Sequence, residues 1–127
     1  MALITDEYIK EKHTELKDYT IVLIKPTSKR KEAGADAVIL EHARKNFSLR
    51  EDGVLSIVCP VFGDYNLSGL YIFNVIVEEA RKIMDDDPAV NAGIFQYEIY
   101  PCKSFSGDSL DKITKRQRNK MSRHLSN

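Results

Sequence analysis

An imidazole in the apolar face of a helix is a costly placement, and this chain has one. Between residues 35 and 52 a helical period of about 100° puts Ala35, Val38, Ile39 and Leu49 on one side, and His42 and Asn46 fall inside that cluster. An unpartnered buried polar group costs about 1–3 kcal/mol, so His42 needs a partner. On spacing alone that partner is either a backbone carbonyl or tyrosine hydroxyl, as in a satisfied core histidine, or a neighbour that makes the ring do work. A second costly placement is Asp85-Asp86-Asp87, which ends a helix predicted over residues 77–86. There the helix dipole disfavours each negative charge by about 0.3–1 kcal/mol. Asp87 precedes Pro88 and so also reads as the N-cap of a short following turn. Both readings stand. A carboxylate beside an imidazole orients the ring, fixes its tautomer and suits it to general acid or base catalysis. Ala80, Ile83 and Met84 mark the core face of the second helix, and Asp87 continues that face. His42 and Asp87 can therefore meet at one cavity between helices and sheet, walled by Tyr or Phe.

Alternating and helical patterns supply the elements that would position them. Residues 19–25 (YTIVLIK) form a β-rich run stopped by Pro26, and TSKRKEAG follows as a basic loop. After the helix over 35–52, Gly53 closes it, and strands are predicted over 54–61 and 70–75 with FGDYNLSG turning between them. The helix over 77–86 stops at Pro88, PAVNAG makes a short turn, and 94–100 alternates as a fourth strand. The order is β, α, β, β, α, β. With helices on one face only, the other face of a four-stranded sheet needs cover, which predicts a homodimer.

Residues 1–18 read as an added N-terminal helix, with Thr5 as N-cap, Asp6 and Glu7 in the first turn, and Tyr8, Ile9 and Leu16 available for docking. Residues 19–103 are the main domain. Residues 104–127 follow a Gly/Ser linker as a basic tail, read as a helix docked by Leu110, Ile113, Met121 and Leu125 and dispensable for the core fold.

Composition narrows the function. In 127 residues, 19 Lys plus Arg balance 19 Asp plus Glu, so the chain as a whole gives no electrostatic case for nucleic acid or an anionic membrane. No stretch approaches the roughly 18 apolar residues of a membrane span, and the start MALITDEYIKEKH has no apolar leader, so a cytosolic protein is expected. Cys59 and Cys102 lack CxxC spacing and read as small structural residues, and His13, His42 and His124 are far apart, so neither a metal nor a cofactor is expected. GDYNLSG lacks the glycine spacing of a phosphate loop, and no nucleophile elbow is present.

The stretch ARKIMDDDPAVNAGIFQYEIYP resembles the signature of the YCII-related proteins: an Ala-containing helix running into Asp-Pro, a small residue and Gly, and a last strand ending near a Pro. Upstream, His42 in its helix, the Gly53 turn, Pro60 at a strand end and Gly69 before the third strand agree in order, so the resemblance spans about residues 19–103. It implies a ferredoxin-like α+β fold with an antiparallel four-stranded sheet, paired into a dimeric α+β barrel, and an active site carried onto His42 and Asp87. The expected ligand is a small molecule, contacted by Asn46, Cys59 and Pro60. Two functions follow. In one, a cofactor-independent lyase or isomerase uses His42 to move a proton on a small cyclic or carbonyl-containing substrate while Asp87 holds the ring. In the other, the same fold is a non-catalytic ligand-binding or assembly module. His42 close to Asp87 beside an open cavity separates them.

Overall fold

A computed structural model describes residues 2–107 and Leu110, and the chain divides into two compact units, Lys17–Ser104 and the two chain ends. In the terminal unit, α1 (Asp6–His13) begins where the Thr5 hydroxyl accepts the Tyr8 amide at 3.1 Å, as its N-cap pattern predicts. The tail helix expected beyond Leu110 lies outside the described residues.

The larger unit holds β1 (Lys17–Pro26), a 3-10 turn (Ser28–Lys31), α2 (Ala35–Glu51), β2 (Leu55–Pro60), β3 (Gly69–Phe73), α3 (Val77–Asp85), a single-turn α4 (Pro88–Asn91) and β4 (Phe95–Ser104). The strands form one antiparallel sheet in the order β2-β3-β1-β4. This is the ferredoxin-like α+β arrangement. Consecutive side chains of a strand point to opposite faces. On β1, Thr20, Val22 and Ile24 are buried towards the helices, while Ile21 and Leu23 occupy the other face and are half-buried. Directly opposite residues share a face, so Tyr71 and Phe73 of β3 and Tyr97 and Ile99 of β4 join the helix side. Phe73, Ile24, Leu55 and Met84 are the largest fully buried side chains there.

The expected N-terminal helix over residues 1–18 is confined to Asp6–His13, the first three strands differ from their expected bounds by one or two residues at each end, and two further boundaries bear on the site. The fourth strand runs on through Pro101 to Ser104, where residues 94–100 were expected. Its place at the sheet edge explains this, since only an edge strand tolerates a residue without an N–H. The helix expected over 77–86 ends one residue early, and Asp87 belongs to the next element as the N-cap of α4.

The C-terminus of α2 fixes how that helix returns to the sheet. Gly53 takes a φ of 74°, which glycine adopts without the penalty of a Cβ, and the Val54 amide reaches back to the Leu49 carbonyl at 2.9 Å. Asn74 donates to the Gly53 carbonyl at 2.9 Å and ties the turn to the end of β3. With α2 held, Ala35, His42 and Asn46 are its buried residues, while Val38, Ile39 and Leu49 pack against the core half-buried.

Candidate functional site

His42 arrives from the middle of α2 and Asp87 from the junction of α3 and α4. A single cation joins these elements: Lys45, three residues after His42, donates its ammonium to the Ile83 carbonyl at 2.6 Å. A positive group at a helix C-terminus answers the dipole that the acidic run would oppose. Asp85 is answered separately by the Tyr97 hydroxyl, which donates to it at 2.5 Å.

Asp87 serves both purposes between which the sequence left it. Its Oδ2 accepts the Ala89 and Val90 amides at 2.9 and 3.2 Å, capping α4 with Pro88 in the first turn. The same carboxylate takes the His42 ring at Nδ1, 2.8 Å from Oδ1 and 2.9 Å from Oδ2. The pair is buried, with His42 5% and Asp87 2% exposed. Burial pushes the Asp87 carboxyl up, but the hydrogen bond and charge of His42, with the amides of Val90 and Ala89, outweigh it and leave the carboxyl below its usual range. An ionised carboxylate only accepts, so the imidazole carries a proton on Nδ1.

The other ring nitrogen is also engaged. The Tyr71 hydroxyl lies 2.7 Å from Nε2, and the Asn46 amide donates to the same hydroxyl at 3.2 Å. When the ring is neutral Nε2 is an acceptor and the phenol donates to it, so that a chain of donors runs from Asn46 through Tyr71 and His42 to Asp87; when the ring is charged both nitrogens donate and the phenol oxygen accepts from Nε2. Burial pushes the Tyr71 phenol up to about 12, the Asn46 hydrogen bond opposes that, and the Asp87 charge adds to it. Tyr71 therefore keeps its proton at neutral pH. Phe95 stands edge-on to His42 with ring centres 5.3 Å apart. Gly69 makes room for this arrangement: a Cβ there would stand 3.2 Å from the Tyr71 ring.

Beside the network lies a cavity of about 870 Å³, within the range of roughly 300–1,000 Å³ usual for small-molecule sites. His42, Asn46 and Tyr71 line it, with Pro60 at the end of β2, Phe47 and Phe95, and Phe62 and Tyr65 from the loop between β2 and β3. Asp87 stands behind His42 and is not part of the lining.

Of the residues expected from sequence to contact a ligand, Asn46 and Pro60 line this cavity and Cys59 does not. Strand alternation corrects that expectation: Val58 and Pro60 face the cavity, and Cys59 pairs with Leu70 on the opposite face of the sheet. Tyr71 was not singled out from sequence. Its spacing with Gly69 and Phe73 assigns it to the helix side, but only the placement of α2 over the sheet brings its hydroxyl to an imidazole 29 residues earlier. Among the described residues no group of three or more His, Cys, Asp or Glu side chains is placed to hold a metal ion.

No protein-family model matches this chain, and no curated protein does. Among solved structures the chain is similar to 5-chloro-2-hydroxyhydroquinone dehydrochlorinase from Burkholderia phenoliruptrix, in complex with 2,5-dihydroxybenzoquinone. The two are 15% identical, with a TM-score of 0.45 over 72% of this chain and 97% of the dehydrochlorinase.

Proposed function

We propose that this protein is a small acid–base enzyme, a lyase or isomerase that moves a proton on a cyclic or carbonyl-containing small molecule bound in the cavity. The observation that carries the reading is that a buried His42–Asp87 pair reaches the cavity through a tyrosine hydroxyl at 2.7 Å. Tyr71 is the group that meets the substrate, and His42 and Asp87 work behind it. As Tyr71 takes a proton from a carbon beside a substrate carbonyl, its own proton passes to Nε2. Asp87 balances the imidazolium that results, and Asn46 steadies the phenol oxygen. The electron pair left on the substrate then either expels a leaving group, which gives elimination, or takes the proton back at another carbon, which gives isomerisation. The resemblance of residues 19–103 to the YCII-related proteins supports the same His and Asp.

Hydrogen exchange tests this without a known substrate. Cyclic ketones and lactones incubated with the protein in D₂O are expected to lose the proton signals next to the carbonyl faster than in buffer alone, read by proton NMR. One observation favours the second reading, a binding module: both ring nitrogens of His42 are satisfied at rest, the condition of a purely structural histidine. Exchange no faster than buffer across the panel selects it.

The outward face of the sheet supports a homodimer. Ile21, Leu23, Ile57, Leu70 and Ile72 form an apolar patch there, and the Lys25–Glu98 ion pair beside them is closed within the chain. A face that among the described residues is apolar, with its Lys25 and Glu98 matched, suits a second copy related by a twofold axis. Light scattering at micromolar concentration is expected to give twice 14.5 kDa, and Ile72→Lys to return the chain to a monomer. A wild-type mass of 14.5 kDa would rule the dimer out.

A further inference from the structure

The cavity is unevenly charged. Apart from His42, its ionisable lining comprises the cations Arg30 and Lys31, from the turn after β1, against the carboxylate of Asp64 and the two phenols of Tyr65 and Tyr71. Asp87 adds no lining atom, and its charge is spent on His42 and two amides. Arg30 gives one N–H to Asp36 at 3.0 Å, an acid whose side chain is 92% exposed, so that pair is weakly held and the guanidinium keeps further donors. The Lys31 ammonium has no hydrogen bond or ion pair within the described residues. Around the same cavity three aromatic side chains stand in solvent: Phe47 is 61%, Phe62 85% and Tyr65 66% exposed. Apolar rings clustered at a cavity and left wet are surfaces waiting for a flat partner.

From these two features we infer that the ligand is a planar, ring-bearing small molecule with one carboxylate, its ring against the Phe47, Phe62 and Tyr65 side chains and its anion on Arg30 and Lys31. Among the described residues Asp64 is the one acid of the lining and the exposed Asp36 takes a single N–H of Arg30, which leaves the Lys31 ammonium and the remaining guanidinium donors of Arg30 as the groups that a single carboxylate would meet. Guanidinium and ammonium donors make charge-assisted hydrogen bonds to that group, about twice as strong as neutral ones. The anion anchors the molecule at the solvent side, because Lys31 is exposed and Arg30 half-buried, and leaves its other end to Tyr71. This inference rests on the cavity being the substrate site.

The test is calorimetric titration of the full chain with 4-hydroxycinnamate and with its primary amide, two planar probes of the same shape of which only the first is charged. The carboxylate is expected to bind about tenfold or more tightly than the amide at low salt, with the gap closing as salt is added. An Arg30→Gln, Lys31→Gln double variant is expected to bring the carboxylate down to the amide's affinity while the amide is unaffected. Phe62→Ala should weaken both probes alike. Equal affinities in the wild type, a preference that survives the double variant, or failure of both probes to bind at millimolar concentration overturns the inference. The outcome is separable from that of the proton-transfer reading. A carboxylate preference without any hydrogen exchange keeps the anion site on a binding module, and exchange without the preference removes the anion site alone.

Discussion

Asp87→Ala is expected to cost about 2–5 kcal/mol of folding stability, because one substitution removes two supports. The Ala89 and Val90 amides lose their cap, and the buried Nδ1 proton of His42 loses its acceptor. For a small domain holding about 5–15 kcal/mol in total, that is a large share. Asp87→Asn separates the supports. Its amide oxygen still caps α4, and its NH₂ faces Nδ1, which forces the ring proton to Nε2, where it confronts the Tyr71 hydroxyl. Denaturant unfolding should therefore show Asp87→Ala strongly weakened and Asp87→Asn much less so. The pH dependence has a definite sign. Asp87 in the folded chain titrates below the ordinary aspartate value of 3.8. The unfolded chain thus binds a proton where the folded chain still resists it. The stability that the charge supplies is complete above the ordinary value and is lost as pH falls through the lower folded-state value. Stability measured at pH 5 and pH 3 should fall more in the wild type than in Asp87→Asn. Equal falls would mean that the carboxylate's charge contributes nothing to the fold.

The second large effect is on proton transfer. Tyr71→Phe, His42→Ala and Asp87→Asn are each expected to slow hydrogen exchange by about 10²–10⁴-fold, the usual worth of a positioned acid or base. Tyr71→Phe is the sharpest of the three. It removes one oxygen and leaves Nε2 and the Asn46 amide facing a cavity where water can reach them, so its stability cost is only about 1 kcal/mol. A folded Tyr71→Phe protein that exchanges at the wild-type rate would show that His42 acts directly, without the phenol. Loss in Asp87→Asn with little loss of stability would assign Asp87 to the tautomer rather than to holding the chain together.

The sequence made much of this site legible, for identifiable reasons. Both costly placements, an imidazole in an apolar helix face and an acid at a helix end, are periodic or positional signals, and each foretold a partner. It did not reveal that the two readings of Asp87 hold together, since one carboxylate has enough lone pairs to cap a helix and hold a ring. Tyr71 escaped because an alternating strand tells which face a residue takes but not what stands above it. The misplacement of Cys59 has the same root. The resemblance carried it into the site together with Pro60, and a period of two sends adjacent residues to opposite faces. The walls of the cavity lie partly in the loop over residues 61–68, where no period exists to read.

The sheet's two outer strands each carry a proline, Pro60 in β2 and Pro101 in β4. A growing fibril recruits molecules by adding strand to strand along an open margin, and it needs an unbroken series of donors to do so. A ring nitrogen without hydrogen interrupts that series within β4 and closes it at the end of β2. Strand-to-strand addition is thus disfavoured at these two strands, whereas the apolar face of the sheet carries no such break.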